Sequence, residues 1–264
     1  MYEFEFERPA TLADALAALA AEDAQPLAGG QTLIPTLRQR LAAPSKLVSL
    51  AGIEELRGIC RDDEGRICIG AATTHAEAAR ALEKDYPALS ALAGGIGDPM
   101  VRNRGTIGGS LANNDPSACW PAGVLGSGAS IRTDRREIAA DDFFEGMFAT
   151  ALEDGEIITE VRFPVPDTAN YQKFEQPASR FALVGVFVAR FGRDVRVAVT
   201  GASEDGVYRW TEAEEALSKD FRVDAVMGLE PNPARMIGDI HGTREYRAHL
   251  VKVMTRRAVE AQKG

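Results

Sequence analysis

Two glycine-rich segments carry the residue types that hold a phosphorylated ligand: Ala28-Gly29-Gly30-Gln31-Thr32-Leu33-Ile34-Pro35 and Thr106-Ile107-Gly108-Gly109-Ser110. Paired glycines let the main chain approach an anion closely, and each turn would present backbone N–H groups. Thr32, Thr106 and Ser110 add hydroxyls, and a helix beginning after Gly30 would favour a phosphate at its N-terminus. Two such turns could share one pyrophosphate. Each taken alone also has the composition of an ordinary tight turn. Neither is G-x-G-x-x-G, and neither ends in the Lys-Ser/Thr of a P-loop, so spacing supports a phosphorylated ligand and nothing finer.

The remaining reactive side chains are scattered. His75, His241 and His249 lie far apart in the chain; His75 follows Thr73-Thr74 at a helix start, where a capping or surface role outweighs metal ligation. Cys60, Cys68 and Cys119 form no C-x-x-C pair and are too few for a four-cysteine iron–sulfur cluster, so no metal site is expected and the chain reads as reduced. Asp141-Asp142-Phe143-Phe144 reads as a solvated turn anchored by two core phenylalanines. Arg102, Asn103 and Arg104 could face a phosphate or a partner, or serve structural hydrogen bonds. No acid–base pair or nucleophile stands out, so no catalytic residue is assigned.

Alternating strand and helix patterns surround these turns. An opening strand, a short helix capped by Thr11, a strand before Ala28, a helix over 32–41 and a strand over 46–50 form a βαβ-like unit. From residue 56 the pattern changes to a hairpin (56–61 and 66–72, turning at Gly65), helices at 75–82 and 87–94, and the dense glycine segment 94–110. Strands follow at 129–132 and 156–163. Pro164-Val165-Pro166-Asp167-Thr168 then breaks regular structure and marks a domain boundary. Beyond it come strands at 181–191 and 195–200, a helix near 211–217 and a long amphipathic helix from 243 to about 262.

Composition narrows the partners. The 264 residues are 45% apolar and 26% charged, within globular ranges, and 30 basic against 39 acidic residues give a net charge of −9. That balance argues against a general nucleic-acid or anionic-membrane surface. Tyr2-Glu3-Phe4-Glu5-Phe6-Glu7 is unlike an export signal, and the longest apolar stretch, 181–189, is far short of a membrane span, so a cytoplasmic protein is expected.

The run Met100-Val101-Arg102-Asn103-Arg104-Gly105-Thr106-Ile107-Gly108-Gly109-Ser110-Leu111-Ala112-Asn113-Asn114-Asp115-Pro116, together with the first glycine motif, closely resembles the flavoprotein family of molybdenum hydroxylases. The likeness is to the medium, FAD-binding subunit of the carbon monoxide dehydrogenase and xanthine dehydrogenase group. It continues through Gly155-Glu156-Ile157-Ile158, Tyr171-Gln172-Lys173-Phe174 and the segment from Gly242 to Leu250. It implies an α+β fold: a two-subdomain FAD-binding domain of the vanillyl-alcohol-oxidase (PCMH) type over 1–168, divided near 54/55, then a smaller α+β domain over 169–264 like the carbon monoxide dehydrogenase flavoprotein C-terminal domain.

Carried over residue by residue, the resemblance places Ala28, Gly29, Gly30, Gln31, Thr32, Leu33, Ile34 and Pro35 around the FAD pyrophosphate. It places Thr106, Gly108, Gly109 and Ser110 against the same group from the other subdomain. Ile96 would be an apolar contact, Ile158 an aliphatic contact on the adenine side, Lys173 the lysine following Tyr171, and Phe181 an aromatic near the flavin ring. The family usually continues A-D-P-x-x-D, whereas here Cys119 stands in the place of the last, FAD-binding aspartate. A thiol is the weaker hydrogen-bonding group, so the contact would be either lost, with weaker FAD binding, or taken over by Asn113, Asn114 or Asp115. Gln31 offers no nucleophile, so the FAD is expected to be non-covalent. The resemblance further implies a large molybdenum-cofactor subunit and a small 2Fe-2S subunit as partners, with those cofactors on the partners only, and a dimer of heterotrimers. The chain would carry electrons from the clusters through FAD to an external acceptor. A self-sufficient flavin oxidoreductase of the same fold and a non-redox nucleotide-binding module are the alternatives.

Overall fold

The computed structural model describes residues 1–262. The N-terminal unit is a three-stranded parallel sheet with strand order β1-β3-β2, built from β1 (Glu5–Glu7), α1 (Leu12–Leu19), β2 (Ala24–Leu27), α2 (Leu33–Arg38) and β3 (Lys46–Ser49). Thr11 caps α1 as expected, its hydroxyl accepting from the Asp14 N–H. Lys46 pins β1 beside β3, its ammonium 2.6 Å from Glu7 and 3.4 Å from Glu5.

The second unit is an antiparallel sheet ordered β4-β5-β10-β6-β7, with a layer of helices inserted between β5 and β6. The hairpin of β4 (Ile59–Arg61) and β5 (Ile67–Gly70) turns at Gly65, whose φ is 78°. Then come α3 (His75–Ala81), α4 (Pro87–Gly94), α5 (Pro99–Arg102), α6 (Ile107–Asn113) and α7 (Trp120–Gly126), followed by β6 (Ser130–Thr133) and β7 (Glu137–Ala139). Short α8 (Ala140–Phe143) and a two-stranded ribbon of β8 (Phe144–Gly146) and β9 (Ala149–Thr150) lead to β10 (Ile158–Phe163), the central strand. A capping box starts α3: Thr74 accepts from the Glu77 N–H while the Glu77 carboxylate accepts from the Thr74 N–H. The dense glycine segment thus contains two short helices. Asp98 caps the first and Thr106 the second, and Asn114 ends the second in the left-handed region at φ 40°. The Asp-Asp-Phe-Phe stretch is the end of α8 and the first residue of β8 rather than a turn, with Phe143 buried, Phe144 half-buried and Asp141 held by Arg196 and Arg209.

The third unit is an antiparallel meander of β11 (Thr168–Glu175), β12 (Ala182–Phe191), β13 (Asp194–Ser203) and β14 (Gly206–Arg209). It is followed by α9 (Thr211–Lys219), α10 (Asp224–Met227) and α11 (Arg244–Glu260). Alternation along β12 serves two cores. Val184, Val186 and Val188 pack with α9 and α11, while Phe187 and Ala189 join Trp120, Leu89 and Phe163 of the second unit. A strand buried on both faces reads as a continuous apolar run, which explains why 181–191 is so apolar in sequence. No helix among the described residues is long and apolar enough to cross a membrane.

Candidate functional site

A cavity of about 670 Å³ lies between the loops of the parallel sheet and the helical layer of the second unit. That is within the range of small-molecule and cofactor sites, roughly 300–1,000 Å³. Its wall joins segments distant in sequence: residues 25–33 and 36, then Ala71, Ala72 and His75, then stretches of 96–119, then 156–158, then 179–181.

The first glycine turn forms one side. Gly30 sits at φ 71° between β2 and α2, and the backbone N–H groups of Gly29, Gly30, Gln31, Thr32 and Leu33 have no acceptor among the described residues. Within the turn, Gln31 donates its side-chain N–H to the Gly29 carbonyl at 3.1 Å. Amides left without protein partners beside a cavity, here on half-buried Gly29, Gly30 and Leu33 and on the more exposed Gln31 and Thr32, are what an anion requires, and the positive end of α2 adds to the field. Thr32 stands at the N-cap of α2 without using its side chain there. Gly29 is glycine because the turn abuts the other motif: a Cβ at this position would collide with the Arg104 carbonyl and lie 2.7 Å from the Gly105 Cα.

The second turn contributes differently from the expectation that it would present its N–H groups. Ile107 donates to the Thr73 carbonyl (3.2 Å), Gly108 to the Ala71 carbonyl (2.9 Å), Gly109 to the Thr106 hydroxyl (3.1 Å) and Ser110 to the Thr106 carbonyl (3.0 Å). These amides are consumed because Thr106 caps α6 and is bridged to Thr74. What the turn offers is close approach and a hydroxyl. Gly108 packs on Ala71, where a Cβ would be 2.6 Å from the alanine methyl, and Gly109 and Ser110 face the cavity.

Of the other residues singled out from sequence, Ala28, Ile96, Thr106, Asn113, Cys119, Ile158 and Phe181 line the cavity, with Phe181 at its rim and half exposed. Ile34 and Pro35 lie in α2 behind the wall, Ile34 packing under Gly30. Lys173 is not on the wall. Its ammonium donates to the Gly95 carbonyl (2.6 Å) and the Arg180 carbonyl (2.9 Å), tying the loop of Ile96 to the turn of Phe181. Arg102 braces the same loop through the Ile96 (3.1 Å) and Gly97 (2.9 Å) carbonyls, a structural role.

Cys119 is a buried thiol just before α7, and burial raises its pKa. The Tyr171 hydroxyl beside it is buried without a satisfactory hydrogen bond. The preceding loop is anchored by β13: Thr200 donates to the Ala118 (2.7 Å) and Pro116 (3.0 Å) carbonyls. Of the three neighbours able to replace an aspartate, Asn113 and Asp115 reach the cavity, whereas Asn114 is committed to the Gly146 and Ala149 carbonyls.

Two residues were missed from sequence. His75 is buried on the wall rather than at the surface. Glu156 binds Arg136 at 3.0 Å through both nitrogens and accepts from Thr133 (2.7 Å) and the Glu153 amide (2.8 Å), so its pKa falls to about 2, chiefly through Arg136. That network fixes the loop that delivers Ile157 and Ile158. Neither role has a local pattern, since both partners, Trp120 and Arg136, are 45 and 20 residues away.

The five free amides, the glycines that allow close approach and the apolar wall together fit a pyrophosphate carrying an aromatic group. Known proteins agree. Residues 2–166 match the family described as the FAD binding domain in molybdopterin dehydrogenase. The carbon monoxide dehydrogenase medium chain of Afipia carboxidovorans is 35% identical, covering 99% of this chain and 97% of that one. The nicotine 6-hydroxylase medium subunit of Paenarthrobacter nicotinovorans is 34% identical over 96% and 95%. Among solved structures, reconstituted CO dehydrogenase from Oligotropha carboxidovorans superposes with a TM-score of 0.88 at 34% identity, covering 99% of this chain and 98% of that one. Quinoline 2-oxidoreductase from Pseudomonas putida 86 gives 0.86 at 31%, covering 98% and 96%. The chain therefore belongs to the FAD-binding medium subunits of the molybdenum hydroxylases, the flavoprotein components of molybdenum-containing oxidoreductases.

Proposed function

We propose that this chain is the electron-transfer subunit of a heterotrimeric molybdenum hydroxylase, taking electrons from 2Fe-2S clusters on a small partner and passing them through FAD to an external acceptor. The observation that carries this reading is the run of free amides from Gly29 to Leu33 at the mouth of a largely apolar cavity. FAD supplies one- and two-electron chemistry when bound. This chain's residues hold it. In this reading Ala28 to Leu33 cradle the pyrophosphate, Gly109 and Ser110 close on it from the other side, Ile158 and Ile96 contact the rings, and Phe181 covers the exposed edge. Ile34, Pro35, Gly108, Thr106 and Lys173 act one step back, by shaping those loops. Residues 1–168, with subdomains meeting near 54/55, would be the FAD domain and 169–264 the smaller domain, in a cytoplasmic dimer of heterotrimers. In this reading the fold positions and tunes a carrier.

The test is to tag the chain in its native host, purify it gently, and record the absorbance spectrum and the co-purifying proteins. Flavin bands together with iron–sulfur absorption, a small partner and a large molybdenum-containing partner are the expected result. A yellow chain with no partners that oxidises a small substrate unaided would replace this reading with a self-sufficient flavin enzyme, and a colourless one would remove the redox role.

A further inference from the structure

On the face of the five-stranded sheet turned away from its core, Cys60, Cys68 and Arg162 stand in one row. Cys60 pairs directly with Cys68, and Cys68 with Arg162, across neighbouring antiparallel strands. The alternate row, Ile59, Ile69 and Val161, packs into the core, which sets the opposite orientation of the cysteine row. Glu160 precedes Arg162 by two residues and therefore shares its face. Gly70, directly opposite Glu160, has no side chain to separate the carboxylate from the thiols. The two sulfurs and a Glu160 oxygen all lie within 4.8 Å of one another.

We infer that Cys60, Cys68 and Glu160 form a binding site for a soft divalent cation, zinc above all, completed by one water and separate from the cofactor cavity. Tetrahedral zinc with Zn–S near 2.3 Å and Zn–O near 2.1 Å places its ligand atoms about 3.5–3.8 Å apart. From separations of at most 4.8 Å, the three atoms need to draw together by no more than about 1 Å to reach that geometry. Arg162 supplies the supporting shell. Its Nε donates to Glu160 Oε1 at 2.7 Å, leaving the other carboxylate oxygen free to ligate, and its Nη1 is anchored on Glu137 at 3.2 Å. With both thiols deprotonated, the divalent ion and the Arg162 guanidinium together neutralise the two thiolates and the carboxylate. The two thiol protons pass to solvent on binding.

Cys60 is exposed and gives the ion an entry path, while Cys68 is almost fully covered. None of the three residues lines the cofactor cavity, so the site stands apart from the electron-transfer reading.

The test titrates zinc into the full 264-residue chain, purified under a phosphine reductant and stripped of metals, by calorimetry, with cobalt as a spectroscopic substitute. The expected result is one zinc per chain, protection of two thiols from alkylation, and thiolate-to-cobalt charge transfer with the visible bands of tetrahedral cobalt. Cys60→Ser and Cys68→Ser should each weaken binding at least about 100-fold, and Glu160→Gln about 10-fold, all without change in flavin content. Because Cys68→Ser alters a covered position, the exposed Cys60→Ser carries the decision where the former fails to fold. Absence of saturable binding in the reduced chain, or stoichiometric binding that survives Cys60→Ser, overturns the site.

Discussion

The indole N–H of Trp120 donates to Nδ1 of His75 at 3.0 Å, joining the first residue of α7 to the first residue of α3 across 45 positions of sequence. Because Nδ1 accepts, the proton of the neutral imidazole sits on Nε2. That nitrogen faces Gly105, where a Cβ would lie only 2.7 Å away. The ring therefore separates the core beneath α7 from the loop that carries the second glycine turn. Burial, and then the nearby Arg102 charge, lower its pKa from 6.5 to about 4.

This depression makes His75 an acid-sensitive element. Between about pH 6.5 and 4 the unfolded chain binds a proton at His75 that the folded chain refuses, so stability falls as the pH drops through that window and is unaffected by this group above it. The full shift corresponds to about 3 kcal/mol. His75→Gln keeps an acceptor for Trp120 and removes the titration. Urea midpoints from pH 7 to 4 should fall less steeply in the variant, and parallel profiles would show that His75 does not govern that slope. Glu156, lowered to about 2 by Arg136, adds a second loss, of stability present above pH 4.5, at lower pH in both proteins.

The paired glycines make opposite predictions. A Cβ at Gly109 would meet the Thr106 hydroxyl at 3.1 Å and the Ala28 methyl at 3.3 Å, contacts that small shifts relieve, and would stand between the two turns. Gly109→Val should fold with a melting temperature within a few degrees of wild type and retain no FAD. Gly29→Ala drives a methyl into the Arg104 backbone, which cannot give way, and should cost several kcal/mol, on the order of an overpacked core. Flavin-to-protein absorbance ratios read with thermal melts separate the two, and full flavin content in a folded Gly109→Val protein would contradict the placement of the cofactor.

Cys119 offers the converse experiment, a gain. A carboxylate at this position would give the buried Tyr171 hydroxyl an acceptor and present a charged hydrogen-bond partner to the cavity, with Lys173 nearby to offset its charge. Hydrogen bonds to charged groups contribute about 1.5–3 kcal/mol, so Cys119→Asp should tighten FAD binding about tenfold or more. Flavin fluorescence quenching during reconstitution of the stripped chain measures it; unchanged or weaker binding would show that Asn113 or Asp115 already fills the role.

Local signals in the sequence went far toward this fold, and they stopped where contacts are distant. Thr11, Thr74 and Gly65 announce their caps and turn through neighbours within a few residues, and the alternation of 182–191 survives as an apolar run. α7 gave no amphipathic pattern because all seven of its residues are buried. β11 was hidden by the mixed polarity of Thr-Ala-Asn-Tyr-Gln-Lys-Phe-Glu, which is half-buried along most of its length. At the site, both glycine turns were legible as motifs. The division of labour between them was not, because the amides of 107–109 are spent on Thr73, Ala71 and Thr106, and only the packing of β5 and α3 against α6 brings the first two acceptors there.

The two-sided burial of β12 sets how the molecule comes apart. Phe187 and Ala189 complete the core under α7, while Val184, Val186 and Val188 complete the one under α11. A chain cut in the Pro164–Thr168 connection would leave raw apolar surface on both fragments, so the join is a boundary of topology and not a line of weakness. The whole chain should melt as one calorimetric transition, and neither half would serve as a portable module for grafting onto another protein.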